Sequence, residues 1–393
     1  MKHTPLGRGN PEESRPALCF NRAELGGALG DLGSFVPLLV GMVTCCGLQL
    51  GPALFLSGAA NVGTGLLFGI PIPIQPMKVI AAVAIDEGLN ESQILIAGIG
   101  VGVVLLLLTL THLIDWLDRA IPKSVVRGLQ LGLGLKLLAK GIVMVAGTQT
   151  FLGPDSIGLG ILCTLIVLLF YYSTRVPAAL LVFTIGLVAM MAAQPSLLGE
   201  TRFGISWRLP DLSNWSDWRT GILQGAVPQI PLTVLNSVIA ICVLSVDLFP
   251  RSPLKPGRVA LSVAVLNLIT CPLGGMPLCH GSGGLAAQHR FGARTGGSMV
   301  VLGAAKMALA LGGSLLAWMQ SYPQSVLGVL LLFSGMELAM VCRDQHSRGP
   351  FFVMVLTTGT CIAVNTAVGF VVGWIMAALL ARGIFRIDRP PTT

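Results

Sequence analysis

Long apolar runs follow one another along this chain with so little polar sequence between them that water cannot be its main solvent. They occupy approximately residues 27–46, 51–69, 71–85, 92–114, 124–146, 157–173, 177–194, 220–247, 258–275, 276–289, 297–319, 325–341, 350–364 and 367–385. Only 11% of the 393 residues are charged, against roughly 25% in soluble domains, and mean hydropathy is +0.81. A span needs about 20 mostly apolar residues, so a lipid bilayer is the expected surroundings and no large soluble domain fits. The expected fold class is an all-α polytopic membrane protein of about 14 transmembrane segments, with the third and tenth too short to be ordinary spans.

The formal charge of +8 reads as positive-inside bias rather than as a nucleic-acid surface. With the N-terminus inside, 18 of the 25 Lys and Arg fall on the cytosolic side and only Arg202, Arg208 and Arg219 outside, so both termini are expected in the cytoplasm, in a plasma or inner membrane. The remaining four, Lys78, Lys136, Lys140 and Lys306, lie inside spans. Nine cysteines show no CxxC or zinc spacing, and no cofactor or metal is expected.

The second half of the chain repeats the first. Gly27-Ala28-Leu29-Gly30 returns 198 residues later as Gly225-Ala226-Val227-Pro228, which places Asp31 on Gln229. Asn61 and Pro71 match Asn267 and Pro277 at a separation of 206, and Pro122-x-Ser124 matches Pro323-x-Ser325 at 201, placing Lys136 on Glu337. Seven segments per copy is an odd number, so the second copy enters the membrane from the opposite side, giving a 7+7 inverted repeat. The expected organisation is a cytosolic tail over 1–24, a first repeat over 25–194, an extracytoplasmic loop over 195–219, a second repeat over 220–386 and a C-terminal tail over 387–393.

Chemistry is expected where both copies break. Pro71, Pro73 and Pro76 each remove a backbone donor, so the chain should be extended there, with a half-helix running from Pro76 to Ile85. In the tenth segment, extended Met276 to Cys279 leads into His280-Gly281-Ser282-Gly283-Gly284 and a second half-helix ending at Arg290. Two helix N-termini would then face each other at mid-membrane, offering free N–H groups and positive dipole ends to an anion. Glycines allow close backbone approach, and Ser282 adds a hydroxyl donor. Lys78 can supply a cation. Intramembrane acids mark Asp31 and Glu337 as candidates for coupling to a proton or for gating. Glu24 and Asp247 lie near the cytosolic interface, where solvation explains them.

Three stretches, Asn21 to Pro37, Gln75-Pro76-Met77-Lys78 through Ala84, and Pro277 to Arg294, resemble the signature stretches of the molybdate-transporter family within the sulfate permease superfamily. The similarity covers nearly the whole chain. It implies seven plus seven inverted spans, a core domain holding the broken segments beside a gate domain, and uptake of the dianion molybdate. It also implies that Gln75, Pro76, Lys78, Cys279, His280, Gly281, Ser282, Gly283 and Gly284 surround the substrate, and that no STAS domain follows Thr393.

Other readings stay open from sequence. A sulfate or general oxyanion carrier would use the same backbone donors. A nucleobase carrier would need carboxylates where this chain has Gln229 and His280. A channel differs in showing no flux saturation. An enzyme would need a catalytic constellation, and neither HExxH nor GxSxG occurs. The oligomeric state is open too, with a homodimer as one assembly such a chain can form.

Overall fold

In the computed structural model, residues 17–30, 32–114, 121–171, 173, 177–196, 204, 207–312, 321–385 and 387 are described. The helices fall on the apolar runs. The first repeat contains α1 (Arg22–Leu29), α2 (Leu32–Cys46), α3 (Leu50–Phe68), β1 (Gln75–Pro76), α4 (Lys78–Glu87), α5 (Glu91–Leu110), α6 (Lys123–Ala146), α7 (Ile157–Phe170) and α8 (Ala178–Ala193). The second contains α9 (Trp215–Leu248), α10 (Pro256–Thr270), β2 (Leu278–Cys279), α11 (Ser282–Arg290), α12 (Gly297–Ala310), α13 (Gln324–Met340), α14 (Arg348–Ala363) and α15 (Thr366–Ala381). Among the described residues, α3, α5, α6, α9 and α13 are each long and apolar enough to cross a membrane alone, and α1 with α2 form a further bent pair. Large apolar side chains such as Leu169, Val143 and Leu152 stand exposed, as expected when the outer solvent is lipid.

Several element boundaries differ from the expectation, each for a local reason. Helix α1 starts at Arg22 because Asn21 caps it, accepting from the Ala23 and Glu24 amides at 3.0 Å. Glu24 is not solvated: it is 1% exposed, and its Oε1 accepts from the Arg294 and Thr295 amides at 2.9 and 2.8 Å. Pro76 belongs to β1, and α4 opens two residues later, at Lys78. Helix α9 begins at Trp215, inside the expected loop, behind an Asn214 cap. It contains two widened π turns, Gly221–Ala226 and Thr233–Ala240, flanking the α turn that carries Pro228 and Pro231. Each proline removes one i→i−4 bond, and the wider turns absorb the mismatch.

Contacts repeat across the two halves. Helix α3 packs on α12 and α5 on α10, two pairs that exchange under the repeat offset, while α6 packs on its own counterpart α13. The α6–α13 crossing is close because glycines make it so. A methyl on Gly134 would come within 2.6 Å of the Gly335 carbonyl, and one on Gly328 within 2.7 Å of the Gly141 carbonyl. Small residues at such crossings let backbones touch where lipid provides no hydrophobic drive.

Candidate substrate site

The two broken segments meet as a two-stranded antiparallel ribbon, with Gln75 opposite Cys279 and Pro76 opposite Leu278. The Met77 amide extends the pairing by donating to the Pro277 carbonyl at 2.9 Å. Because the strands are antiparallel, α4 and α11 leave the ribbon in opposite directions. Buried Asn267 on α10 fastens β2: its Oδ1 accepts from the Leu278 amide at 2.8 Å and its Nδ2 donates to the Leu278 carbonyl at 2.6 Å. Its counterpart Asn61 does something else, accepting from Lys306 Nζ at 2.8 Å beneath the Phe35 ring.

Several expected site residues form the floor of this arrangement. His280 is fully buried, with Nδ1 3.0 Å from the Pro73 carbonyl and Nε2 3.0 Å from Ser262 Oγ. A carbonyl only accepts, so Nδ1 carries the proton and Nε2 accepts from the serine, leaving neither nitrogen for an anion. Gly281 packs so closely on the Gln75 side chain that any Cβ would collide with it. Gln75, Pro76, Cys279 and Gly284 are likewise buried, and none of them lines the adjoining cavity.

That cavity, about 460 Å³, is lined by Lys78, Gln130, Asn236, Ser282, Gly283, Ser334 and Glu337, and by Arg290 at the far end of α11 from Ser282. Lys78 is the first residue of α4. A cation there opposes the helix dipole, at a cost of about 0.3–1 kcal/mol, and among the described residues no carboxylate pairs with it. An anion in the cavity would supply the missing charge. Ser282, first in α11, donates to Asn236 Oδ1 at 2.7 Å, and both residues line the cavity. Asn236 sits in the second π turn of α9. Gly283 would project a side chain into open space. The buried Ser334 hydroxyl has no partner among the described residues.

The two half-helix ends are not equivalent. Gln229 Oε1 accepts from the Val79 and Ile80 amides at 2.9 and 3.3 Å, while its Nε2 donates to Thr233 Oγ1 at 2.8 Å. The N-terminus of α4 is therefore already capped, and only that of α11 opens on the cavity. Gln229, Asn236, Gln130 and Ser334 are the functional candidates that sequence reasoning missed or placed elsewhere. Asp31 lies outside the described residues; its neighbours Gly30, Gly33 and Ser34 line the cavity.

The helical fold built around these two antiparallel half-helices is shared with solved structures. The full structure of SLC26A9 superposes with a TM-score of 0.67 at 13% identity, over 93% of this chain and 66% of that one. Murine Slc26a9, an anion transporter captured in the inward-facing state, gives 0.67 at 15% over 93% and 69%. The transmembrane domain of the cyanobacterial bicarbonate transporter BicA gives 0.60 at 15% over 92% and 98%. Within this fold class the chain belongs to the molybdate transporter family. The family model described as molybdate transporter of MFS superfamily matches residues 23–137 and 221–338, stretches whose starts and ends are offset by 198 and 201, the spacings that relate the repeats. Molybdate transporters 1 and 2 of Arabidopsis thaliana are 38% and 39% identical, each over 91% of this chain and over 88% and 87% of their own length. Molybdate transporter 1 of Chlamydomonas reinhardtii is 33% identical over 91% of each chain. The chain is thus a multi-pass integral membrane transporter.

Proposed function

We propose that this protein takes up molybdate by alternating access, holding the dianion between Lys78 and the open N-terminus of α11. The observation that carries the reading is the cavity itself, where a lysine with no carboxylate partner among the described residues and the uncapped half-helix end face the same space. The Ser282 and Gly283 backbone amides and the Asn236 side-chain amide would supply hydrogen bonds, with Lys78 supplying charge. The floor residues Gln75, Pro76, Cys279, His280 and Gly281 set the ribbon's position. Two seven-segment repeats, 25–194 and 220–386, account for the reciprocal packing, with fourteen segments in all. The positive-inside count supports cytoplasmic termini in a cell membrane, with the Arg290 end of α11 on the cytoplasmic side. If uptake is proton-driven, Glu337 on the cavity wall and Asp31 are the carriers.

Competition binding to the purified protein tests the reading. Molybdate and tungstate, nearly equal in size and charge, should displace one another at one site. Sulfate is smaller and leaves donors unsatisfied, at about 1–3 kcal/mol each, so it should bind roughly tenfold to several-hundredfold more weakly. Equal affinity for sulfate and molybdate would replace the molybdate assignment with that of a general oxyanion carrier.

A further inference from the structure

The crossing of α6 with α13 sets Gly134 against its counterpart Gly335, and the charges on those two helices can be compared by the same offset. Lys136 on α6 lies 2.9 Å from Asp86 Oδ2 and 3.2 Å from Glu87 Oε1, at the C-terminal end of α4. Lys140, one turn along, donates to the Ile85 carbonyl at 2.5 Å. Both lysines also meet the negative end of the α4 dipole. At this end the half-helix is tied to α6.

The counterpart of Lys136 is Glu337 on α13, and the counterpart of the α4 terminus is the α11 terminus, whose last residue is Arg290. The signs are exchanged: the base ends the half-helix and the acid sits on the crossing helix. In this form Arg290 keeps another partner and is not paired with Glu337. Glu337 is exposed and makes no hydrogen bond or ion pair among the described residues, and it lines the same cavity as Arg290.

We propose that these residues form two alternating latches. Lys136 with Asp86 and Glu87 closes the far face while the cavity is open at its Arg290 end. As the half-helix unit shifts against α6 and α13, that latch parts and Arg290 closes on Glu337, sealing the cavity mouth. The proposal rests on the alternating-access reading and adds to it the residues that hold each closed form. Partly exposed pairs of this kind shift an equilibrium by about two- to fivefold.

A reporter cysteine at Val341, on the cavity wall and 42% exposed, tests it in the full chain. Labelling by a membrane-impermeant maleimide would be timed in inside-out vesicles, with the protein lacking the reporter giving the background from Cys19 and Cys45. Lys136→Met should slow labelling, by up to about fivefold, because the form with the mouth closed gains population. Asp86→Asn with Glu87→Gln, which leaves Lys136 in place, should slow it similarly. Adding Glu337→Gln to Lys136→Met should restore the parental rate, since neither closed form then keeps its latch. Unchanged labelling in both outer-latch variants, each shown to be monodisperse, would overturn the proposal, as would failure of Glu337→Gln to restore the rate. The readout needs no substrate, so a protein that failed to bind molybdate would still report on the latches.

Discussion

The two broken segments share a plan and differ in use. Each has a glycine before it, a proline-bearing extended stretch, a two-residue strand and a half-helix of about ten residues. In the third segment the half-helix N-terminus is closed by Gln229, and what reaches the cavity is the Lys78 side chain. In the tenth, glycine replaces bulk at the first turn, and the backbone itself reaches the cavity at Ser282 and Gly283. On the proposed reading the two half-sites divide the work: one would supply long-range charge, the other short-range geometry. Charge attracts any dianion, whereas fixed amides measure its radius.

The comparison is broken most severely at Gly283. A methyl there meets nothing within 4 Å, so Gly283→Val should fold and insert normally, yet its side chain would occupy the space the anion needs. Molybdate binding should fall by more than about a hundredfold, or beyond about 2.7 kcal/mol, as read by calorimetry. Gly281→Ala makes the contrast, since its Cβ collides with Gln75 and the ribbon itself must move. Retained affinity in a well-folded Gly283→Val would remove α11 from the site.

How much of this was legible in the sequence follows from what each residue does locally. Pro71, Pro73 and Pro76 forbid helix wherever they stand, so the third break was readable without any tertiary knowledge. Its exact edge was not: Pro76 is acceptable in a first helical turn, and only pairing with Leu278 commits it to a strand. The glycine cluster at 281–284 located the tenth break, but glycine alone does not say which positions face a cavity and which face Gln75. Gln229 and Asn236 were harder, because each sits in an apolar helix and gains its partner from a segment about 150 or 46 residues away. The π turns that aim them depend on how Pro228 and Pro231 are accommodated, which composition does not reveal. Glu24 looked interfacial for the same reason, its partners being 270 and 271 residues distant.

Lys78→Met sharpens the comparison from the other side. Removing a point charge should weaken molybdate, tungstate and sulfate together by about ten- to a hundredfold, within what Coulomb attraction near a wet surface provides. Their order should survive, because the amides of α11 still set the size. Isotherms for the three anions on one variant decide it. A variant that loses discrimination while keeping overall affinity would reverse the division of work between the two half-sites.

The smallest effect on binding is expected at Gln229. If the α4 terminus were a working half of the site, uncapping it would free two amides for the anion and change affinity as strongly as altering Gly283. If the terminus is structural, Gln229→Leu does something different. The Val79 and Ile80 amides lose their acceptor in a buried place, while the Thr233 hydroxyl keeps its bond to the carbonyl of residue 229, which should lower stability by about 2–4 kcal/mol, since each unsatisfied group costs about 1–3. Lys78 stays where α4 puts it and α11 is untouched, so molybdate affinity should change by less than about threefold. Thermal unfolding in detergent and calorimetry on the same sample separate the two quantities. A lower melting temperature with nearly unchanged affinity would leave the asymmetry standing. A large change in affinity with stability intact would return α4 to the site, and the two half-helices would have to be read as equal partners around the anion.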